Sequence, residues 1–289
     1  MSRLAGGQFG RVSWVQLTAL GIPKQTFHYW IQTGYLIRVL PAVYAVGHRA
    51  RTTESDLIAA VLYAGPGAML SHATAAWWVG LTSTKPYMID VSTPRRCRSL
   101  PGIRVHQRRV IERVWHKNIP ITRFSQTMLD YATRATLSDV RRALAQADFH
   151  GGLNVAAVAA GLGSGRLGSG RLRTALREHQ PELARARSGK EVKFFELCEA
   201  DNLPLPELNA EIAGWEVDAL WREQRLAVEI DGPGNHRSPA QIRRDRRKEL
   251  DLRAAKLLVL RYSDEQVDEE GHVLMAEVRE VLNPPAQSA

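Results

Sequence analysis

The sequence predicts a multidomain protein that mixes α+β and α/β architecture. Its 289 residues are enough for two or three domains, each with its own hydrophobic core. Helical apolar patterns and short alternating strand patterns follow one another along the chain. We expect a helical region with a β wing at residues 1–50, a basic α/β middle domain with a helical connector at 51–183, and a domain at 184–289 ordered helix, three strands, helix, strand.

The chain is strongly basic, with a formal net charge of +9 and a pI of about 9.9. This excess favours a polyanionic partner. There is no signal-peptide pattern and no run of 18 apolar residues, so we expect a soluble cytoplasmic protein without a membrane partner. Cys97 and Cys198 are isolated and give neither a disulfide framework nor CxxC zinc spacing, which fits a reducing compartment.

The first 50 residues contain five Lys or Arg residues and no Asp or Glu. Apolar spacing predicts a short helix from Val12 to Leu20 and, after a Gly-Ile-Pro turn, a second helix from Lys24 to Thr33 that stops before Gly34. The buried positions of the second helix would be Phe27, Trp30 and Ile31. Its polar residues would then face away from the core, where they could reach base edges.

Two short strands, Leu36 to Val39 and Val43 to Val46, are predicted on either side of Pro41. Helix, tight turn, helix and wing is the order of a winged helix-turn-helix domain, and the absence of carboxylates suits an approach to phosphate. Residues 34–38 and 42–47 resemble the N-terminal domain of AbiEi-type antitoxins. That resemblance implies an autorepressor paired with a nucleotidyltransferase-like toxin. The alternative is a helical dimerisation or docking module.

The middle region is predicted to hold a helical segment from Arg51 to Leu81, with Trp77 and Trp78 in its core, and strands at Tyr87 to Ser92 and Ile103 to His106. Residues 93–123 contain nine Lys or Arg residues and a single acid. We interpret this as a phosphate-facing surface; the alternative is ordinary screened surface charge. The region resembles the middle part of AbiEi-type antitoxins.

Two helices are predicted next, from Ser125 to Thr133 and from Leu137 to Phe149. The sequence Gly-Ser-Gly-Arg-Leu occurs twice in residues 163–172, and residues 161–170 are the expected joint of the chain. Taken over the whole chain, the residues that we expect to contact DNA are Lys24, Gln25, His28, Gln32, Arg38, Arg95, Arg96, Arg98, Arg104, Arg108, Arg109, Arg243, Arg244 and Arg247.

In the C-terminal domain, alternating residues predict a hairpin with strands Trp215 to Trp221 and Leu226 to Asp231. A turn centred on residues 223–224 places Asp218 opposite Glu229 and Glu216 opposite Asp231. Like charges across a ladder are destabilising, by about 0.2–1 kcal/mol when exposed and by more where solvent is excluded. A hard divalent cation such as Mg²⁺ or Mn²⁺ would reverse that effect, so the pattern indicates a metal site.

The flanking elements complete this domain. Ser188 to Glu191 has the pattern of a capping box and opens a helix that runs to about Ala200. After the hairpin we expect a loop, a helix from about Pro239 to Ala255, and a strand from Leu257 to Leu260 that is parallel to the second hairpin strand. A final amphipathic helix should end near Leu282.

This element order resembles the PD-(D/E)XK nuclease superfamily, with the arrangement αβββαβ. Within it, residues 188–267 are most similar to very-short-patch-repair endonuclease-like proteins. The resemblance rests on Val217-Asp218, Val228-Glu229-Ile230-Asp231-Gly232 and His236, and it continues through residues 244–247 and 259–262.

The resemblance implies metal-dependent hydrolysis of phosphodiester bonds in DNA with Mg²⁺ or Mn²⁺. It implies that Asp218 and Glu229 ligate the ion together with the Ile230 carbonyl, and that Glu191 completes or orients the shell. The third residue of the Glu-x-Lys signature is here Asp231 instead of Lys. We therefore expect His236 to assist proton transfer or to stabilise the transition state, with Lys256 as a second candidate.

Three hypotheses on function remain open. The first is a DNA-processing enzyme, the second is a regulator or antitoxin with an inactive nuclease fold, and the third is a protein that neutralises a toxin. At the site itself, the alternative to a metal is a set of ion pairs with Arg243 and Arg247 as partners, and the arginine-rich helix could simply be a solvated face. A homodimer is compatible with each hypothesis.

Overall fold

The computed structural model describes residues 1–48, 52–109, 112–162, 165–232 and 239–283. Within these residues the chain has a mixed α/β fold with three sheets, as expected for a multidomain α+β protein. It divides into two compact units, unit 1 (Met1–His179) and unit 2 (Gln180–Ala289). None of the helices within the described ranges has both the length and the apolar character that a membrane crossing requires.

The first part of unit 1 is a small helical layer on a three-stranded sheet with strand order β1-β3-β2. Its elements are α1 (Ser2–Gly6), β1 (Arg11–Ser13), α2 (Trp14–Ala19), α3 (Lys24–Gln32), β2 (Leu36–Leu40) and β3 (Val43–Val46). The two strands predicted on either side of Pro41 are confirmed as β2 and β3, and they pair antiparallel. The strand β1 was not predicted.

Two of the predictions for this part need correction. The first helix begins at Trp14 and not at Val12, because Ser13 is extended and its side chain accepts a hydrogen bond from the Gln16 amide as the N-cap. In α3, Phe27 and Trp30 pack against the small core, but Ile31 is exposed. A three-stranded sheet is too narrow to cover the whole apolar face of the helix.

The second part of unit 1 is built on a five-stranded mixed sheet with strand order β6-β5-β4-β8-β7. Its first elements are α4 (Thr53–Ala64), β4 (Met69–Leu70), α5 (His72–Trp78), β5 (Ile89–Thr93), β6 (Ile103–Gln107), β7 (Arg113–His116) and β8 (Ile119–Thr122). The two predicted strands correspond to β5 and β6, which pair in parallel. β4, β7 and β8 were not predicted. The Trp78 side chain is in the core, as expected.

A helical layer follows the sheet within unit 1. It comprises α6 (Phe124–Tyr131), α7 (Leu137–Phe149), α8 (Val155–Ala160) and α9 (Ser169–Arg177). Gly168 has φ +85°, and a Cβ at this position would lie 2.6 Å from the Leu129 carbonyl oxygen. Gly168, in the second copy of the repeat, therefore lies against the helical core of unit 1, and the chain divides later, after His179.

Unit 2 has a four-stranded sheet with strand order β12-β11-β10-β9. After a 3₁₀ turn (Pro181–Ala184), its elements are α10 (Gly189–Ala200), β9 (Glu207–Ile212), β10 (Trp215–Trp221), β11 (Leu226–Asp231), α11 (Pro239–Ala254), β12 (Leu258–Ser263), α12 (Asp264–Glu269) and α13 (Gly271–Leu282). The predicted order of helix, three antiparallel strands, helix and parallel strand is confirmed. The single C-terminal helix that we predicted is divided into α12 and α13.

The β sheet of unit 2 carries apolar residues that anchor its helices. Phe194 of α10 contacts the rings of Trp221 and Tyr262, with centroid distances of 6.3 and 6.2 Å. Leu252 of α11 is fully buried in a cluster with Leu220 and Ala227 of the hairpin. Elsewhere in the chain, Cys198 is buried in α10 and Cys97 is partly buried in unit 1, and both are free thiols.

Candidate active site

The β10–β11 hairpin brings the two central carboxylates together. Its register is the predicted one, since Ala219 pairs with Val228 and Leu220 with Ala227. One step further along, Asp218 Oδ2 accepts a hydrogen bond of 2.5 Å from the backbone amide of Ile230. Alternation then places Asp218 and Glu229 on the same face of the sheet, which is the face that carries Leu220 and Ala227.

Lys248 of α11 forms an ion pair with Glu229, and this lysine was not predicted. Its ammonium lies 2.5 Å from Glu229 Oε1, and it also donates a hydrogen bond of 2.5 Å to the Glu216 carbonyl. Leu252, one turn further along the helix, is buried against the hairpin and fixes the phase of α11. Both charged side chains are more than four-fifths buried, at 17% exposure for Lys248 and 16% for Glu229.

The structure places Lys256, the lysine proposed from the sequence, at the other end of the hairpin. Its carbonyl accepts a hydrogen bond of 3.1 Å from the Arg225 side chain in the hairpin turn. Leu226 begins β11 beside that turn, and Glu229 lies three residues further along the strand, which is about 10 Å at the rise of a β strand. Lys248, and not Lys256, is therefore the lysine at the carboxylates.

Glu191 contributes a third carboxylate from the first turn of α10. Ser188 caps this helix as predicted, but Glu191 does not complete a capping box. Its Oε2 instead accepts hydrogen bonds of 2.7 Å from the Arg187 amide and 2.5 Å from the Asn209 side chain. Asn209, with φ +46°, is a second residue that the sequence analysis missed.

Asp218 and Glu229 are buried acids whose negative charge is only partly compensated by nearby cations. Burial raises the pKa of Asp218 to about 6, and the nearby charges of Glu229 and Glu191 act in the same direction. Burial also raises the pKa of Glu229, although Lys248 and Arg261 oppose the shift. A bound cation would lower both pKa values and relieve the repulsion.

The oxygen atoms of the three acids allow a test of whether a cation fits. Asp218 Oδ2 and Glu191 Oε2 accept hydrogen bonds, whereas the buried Glu229 Oε1 has the Lys248 ion pair but accepts no hydrogen bond within the described ranges. Two carboxylates plus water and substrate phosphate are sufficient for Mg²⁺. Asp218, Glu229 and Glu191 do not bring three donor atoms within 4.8 Å of one another. Among the described residues, the group that does so lies in unit 1. The residues therefore fit an open two-carboxylate site and not a closed three-carboxylate site.

Three other residues were predicted for the site, namely Asp231, Ile230 and His236. Asp231 ends β11, pairs with Ser263 in the sheet, and raises the pKa of Glu229 by its charge. Ile230 lies between Glu229 and Asp231, and its amide is already engaged by Asp218. His236 lies outside the described residues.

The alternative of arginine ion pairs is only partly realised. Glu216 pairs with Arg187, so this acid does not join the central pair. Arg247 pairs with Asp251 at 3.2 Å on its own helix, and Arg244 lies over the Trp215 ring at 5.7 Å. Of the two arginines expected as partners of the carboxylates, Arg247 is thus engaged elsewhere.

The residues expected to contact DNA fall into two classes. Arg104 lies 3.5 Å from Asp90, and Arg108 pairs with the buried Asp130, so both guanidinium groups are engaged inside unit 1. The others in unit 1 are exposed, and those in unit 2 are exposed on α11. The exposed residues of unit 1 are Lys24, Gln25, His28, Gln32, Arg38, Arg95, Arg96, Arg98 and Arg109.

No protein-family model matches this chain, and a search of curated proteins found no match. A functional assignment consequently depends on the chemistry of the side chains described above.

Proposed function

We propose that this protein binds DNA and hydrolyses its phosphodiester bonds at the carboxylate pair of unit 2, with Mg²⁺ or Mn²⁺ as cofactor. The observation that carries the proposal is the placement of Asp218 and Glu229 on neighbouring strands, with Lys248 at 2.5 Å from Glu229. The same order of elements and acids produced the resemblance to very-short-patch-repair endonuclease-like proteins in the sequence.

Each residue of the site has a role in this proposal. Asp218 and Glu229 would hold the cation, and Asn209 would keep the Glu191 side chain in place beside them. A divalent cation bound there supplies Lewis-acid activation of water and neutralises charge on the scissile phosphate. Lys248 provides the positive charge that the signature lysine would supply, since Asp231 occupies the signature position.

Unit 1 would supply the affinity for DNA. Its first part has a helix, a strand, two helices and a β wing, and α3 presents the exposed Gln25, His28 and Gln32. Polar side chains on an exposed helix can read base edges, and exposed arginines neutralise phosphates. Residues 1–50 contain no acid that would oppose this approach.

The test is cleavage of duplex, nicked, mismatched and single-stranded DNA by the full chain with Mg²⁺ or Mn²⁺. Asp218→Asn and Glu229→Gln should each lower the rate by roughly 10²–10³-fold, since a bound metal contributes several kcal/mol to the reaction. Glu207→Gln is the matched control, because this acid lies in the same sheet but pairs with Arg222. Equal cutting by wild type and Asp218→Asn would refute the proposed site.

A second candidate is an autorepressor or antitoxin with an inactive nuclease fold. It is favoured by Asp231 at the signature lysine position and by the ion pair that Lys248 makes with one of the proposed metal ligands. Under this candidate the chain would bind its own promoter DNA without cutting it, and calorimetry with Mn²⁺ would show no tight site. A nucleotidyltransferase-like toxin as partner would be indicated by a neighbouring gene of that type.

A further inference from the structure

Unit 1 contains a second cluster of ligand-type side chains, unrelated to the acids of unit 2. His72 begins α5, Asp90 lies on β5, and His106 lies on the adjacent parallel strand β6. One donor atom from each of the three lies within 4.8 Å of the other two. His72 is 7% exposed and Asp90 is 3% exposed, so water does not hydrate the cluster freely.

The backbone holds these residues in fixed relative positions. The Ser71 amide donates to the Asp90 carbonyl at 3.0 Å, and the Asp90 amide donates to Thr74 Oγ1 at 2.8 Å. The start of α5 is therefore tied to β5 on both sides of His72. His72 itself adopts φ +51°, which is unfavourable for a residue with a side chain and commonly marks a functional position.

The donor atoms of the three side chains lie close together. His106 Nε2 lies 2.8 Å from Asp90 Oδ1, and the His72 and His106 rings stack with centroids 3.7 Å apart. Donor atoms around a tetrahedral ion with bonds of about 2 Å are separated by about 3.3 Å. The two rings would have to turn out of their stacked arrangement for both nitrogen lone pairs to point at one ion together with Asp90.

A buried carboxylate next to the cluster provides an independent observation. Asp130 is 1% exposed, and its Oδ2 has no hydrogen-bond partner within the described ranges. This oxygen lies 3.9 Å from His72 Nδ1, which also contacts Ser71 Oγ at 2.9 Å. Metal-ligating histidines commonly have a hydrogen-bond partner on the second ring nitrogen, and Ser71 Oγ holds that position at His72 Nδ1, which leaves Nε2 for the ion, while Asp130 places a negative charge beside the ring.

We propose that His72, Asp90 and His106 form a binding site for a divalent transition metal, with Zn²⁺ as the best match. Two imidazoles and one carboxylate are donors that Zn²⁺ accepts and that differ from the all-oxygen set preferred by Mg²⁺. The ion would join α5 to two strands of the sheet and so stabilise unit 1. Arg104, now 3.5 Å from Asp90 Oδ1, would move away from the carboxylate when the ion binds.

The test uses the full chain, stripped of metal by a chelator and titrated with Zn²⁺ and with Co²⁺. Wild type should bind one equivalent at this site, and His106→Gln and Asp90→Asn should each weaken that binding by at least about tenfold. His116→Gln is the matched control, because His116 lies on β7 of the same sheet outside the cluster. Loss in both cluster variants with retention in the control would support the site, and equal binding by wild type and His106→Gln would overturn it.

A second measurement does not depend on the folding of the variants. X-ray absorption at the zinc edge of the wild-type complex should show two imidazole nitrogens and additional oxygen ligands. One imidazole or none, or the absence of any tightly bound Zn²⁺, would reduce the cluster to a hydrogen-bonded pair with no metal.

Discussion

The acid cluster of unit 2 and the histidine cluster of unit 1 bury charge in opposite ways. Asp218 and Glu229 are like charges on adjacent strands, and burial with mutual repulsion raises the pKa of Asp218 to about 6. The unit 1 cluster combines acids with imidazoles, and burial lowers the pKa of His72 to about 3, so this ring is neutral at pH 7. The unit 2 cluster therefore carries excess negative charge, whereas the neutral His72 ring adds no charge to the unit 1 cluster.

This difference indicates what each cluster can hold. Carboxylate oxygens that repel one another attract a hard ion, which can retain several waters and contact a substrate phosphate. Two imidazoles with a carboxylate favour a borderline ion such as Zn²⁺, and three protein ligands leave one tetrahedral position for water. Under the two proposals, strands and helices would present donors for a reactive site in unit 2 and for a stabilising metal ion in unit 1.

Replacing the lysine of unit 2 should cause a large loss of DNA cleavage. Lys248→Met should lower DNA cleavage on the order of 10²-fold, since it removes a preorganised positive charge from the site. The same variant should bind Mn²⁺ more tightly, because Glu229 loses its competing partner. Lys248→Arg should recover part of the rate. Cleavage kinetics and calorimetry measure the two effects, and unchanged rates in Lys248→Met would exclude the lysine from the reaction.

Metal selectivity is the direct test of the comparison. Mn²⁺ at about one hundred times its Kd should stabilise the wild type by about 2.7 kcal/mol, and Asp218→Asn should lose this gain while retaining stabilisation by Zn²⁺. His106→Gln should show the reverse pattern. Urea unfolding in the presence of each ion provides the measurement. If one variant abolished the effects of both ions, the two clusters would not be independent.

The pH dependence of stability should identify Asp218 in metal-free protein. Its folded pKa of about 6 is above the ordinary value of 3.8, so the folded state binds more protons than the unfolded state between these pH values. The free energy of unfolding should therefore fall as pH rises from about 4 to 6. Asp218→Asn should flatten this slope and stabilise the protein at pH 7 by roughly 1–3 kcal/mol. Chemical unfolding in EDTA measures it, and an unchanged slope would contradict the assignment.

The smallest expected effect concerns arginines in unit 1. Arg96→Ala should reduce the slope of log affinity against log salt by about one, because an exposed arginine at DNA neutralises one phosphate. Arg104→Ala should leave the slope unchanged, since this side chain faces Asp90. Fluorescence anisotropy across a salt series compares them. Equal slopes for the two variants would show that the exposed arginines are not the contacts.

Local patterns were sufficient to predict the hairpin of unit 2. Period-two alternation and a short turn fix which residues oppose each other, so the sequence alone predicts that Asp218 and Glu229 lie together. The helix that follows could also be predicted, but not its rotation about its own axis. That rotation depends on how Leu252 packs on the sheet, and it decides that Lys248 and not Lys256 reaches Glu229.

The histidine cluster could not be predicted, because its residues share no local pattern. They come from a helix and two strands, and their proximity depends on the parallel pairing of β5 with β6. Alternation predicts that a strand exists but not which strand it joins across a loop. The short strand β4 and the pair β7 and β8 were missed for a related reason, since segments of two to four residues carry little periodic signal.

The two cysteines differ in a way that is useful in practice. Burial raises the pKa of Cys198 to about 12, so its thiolate is scarce at neutral pH, whereas Cys97 is partly exposed between Arg96 and Arg98. A maleimide dye applied to the native chain should therefore label position 97 alone. The unmodified sequence thus provides one accessible thiol for a fluorescent label. This thiol lies between two exposed arginines that we propose as DNA contacts.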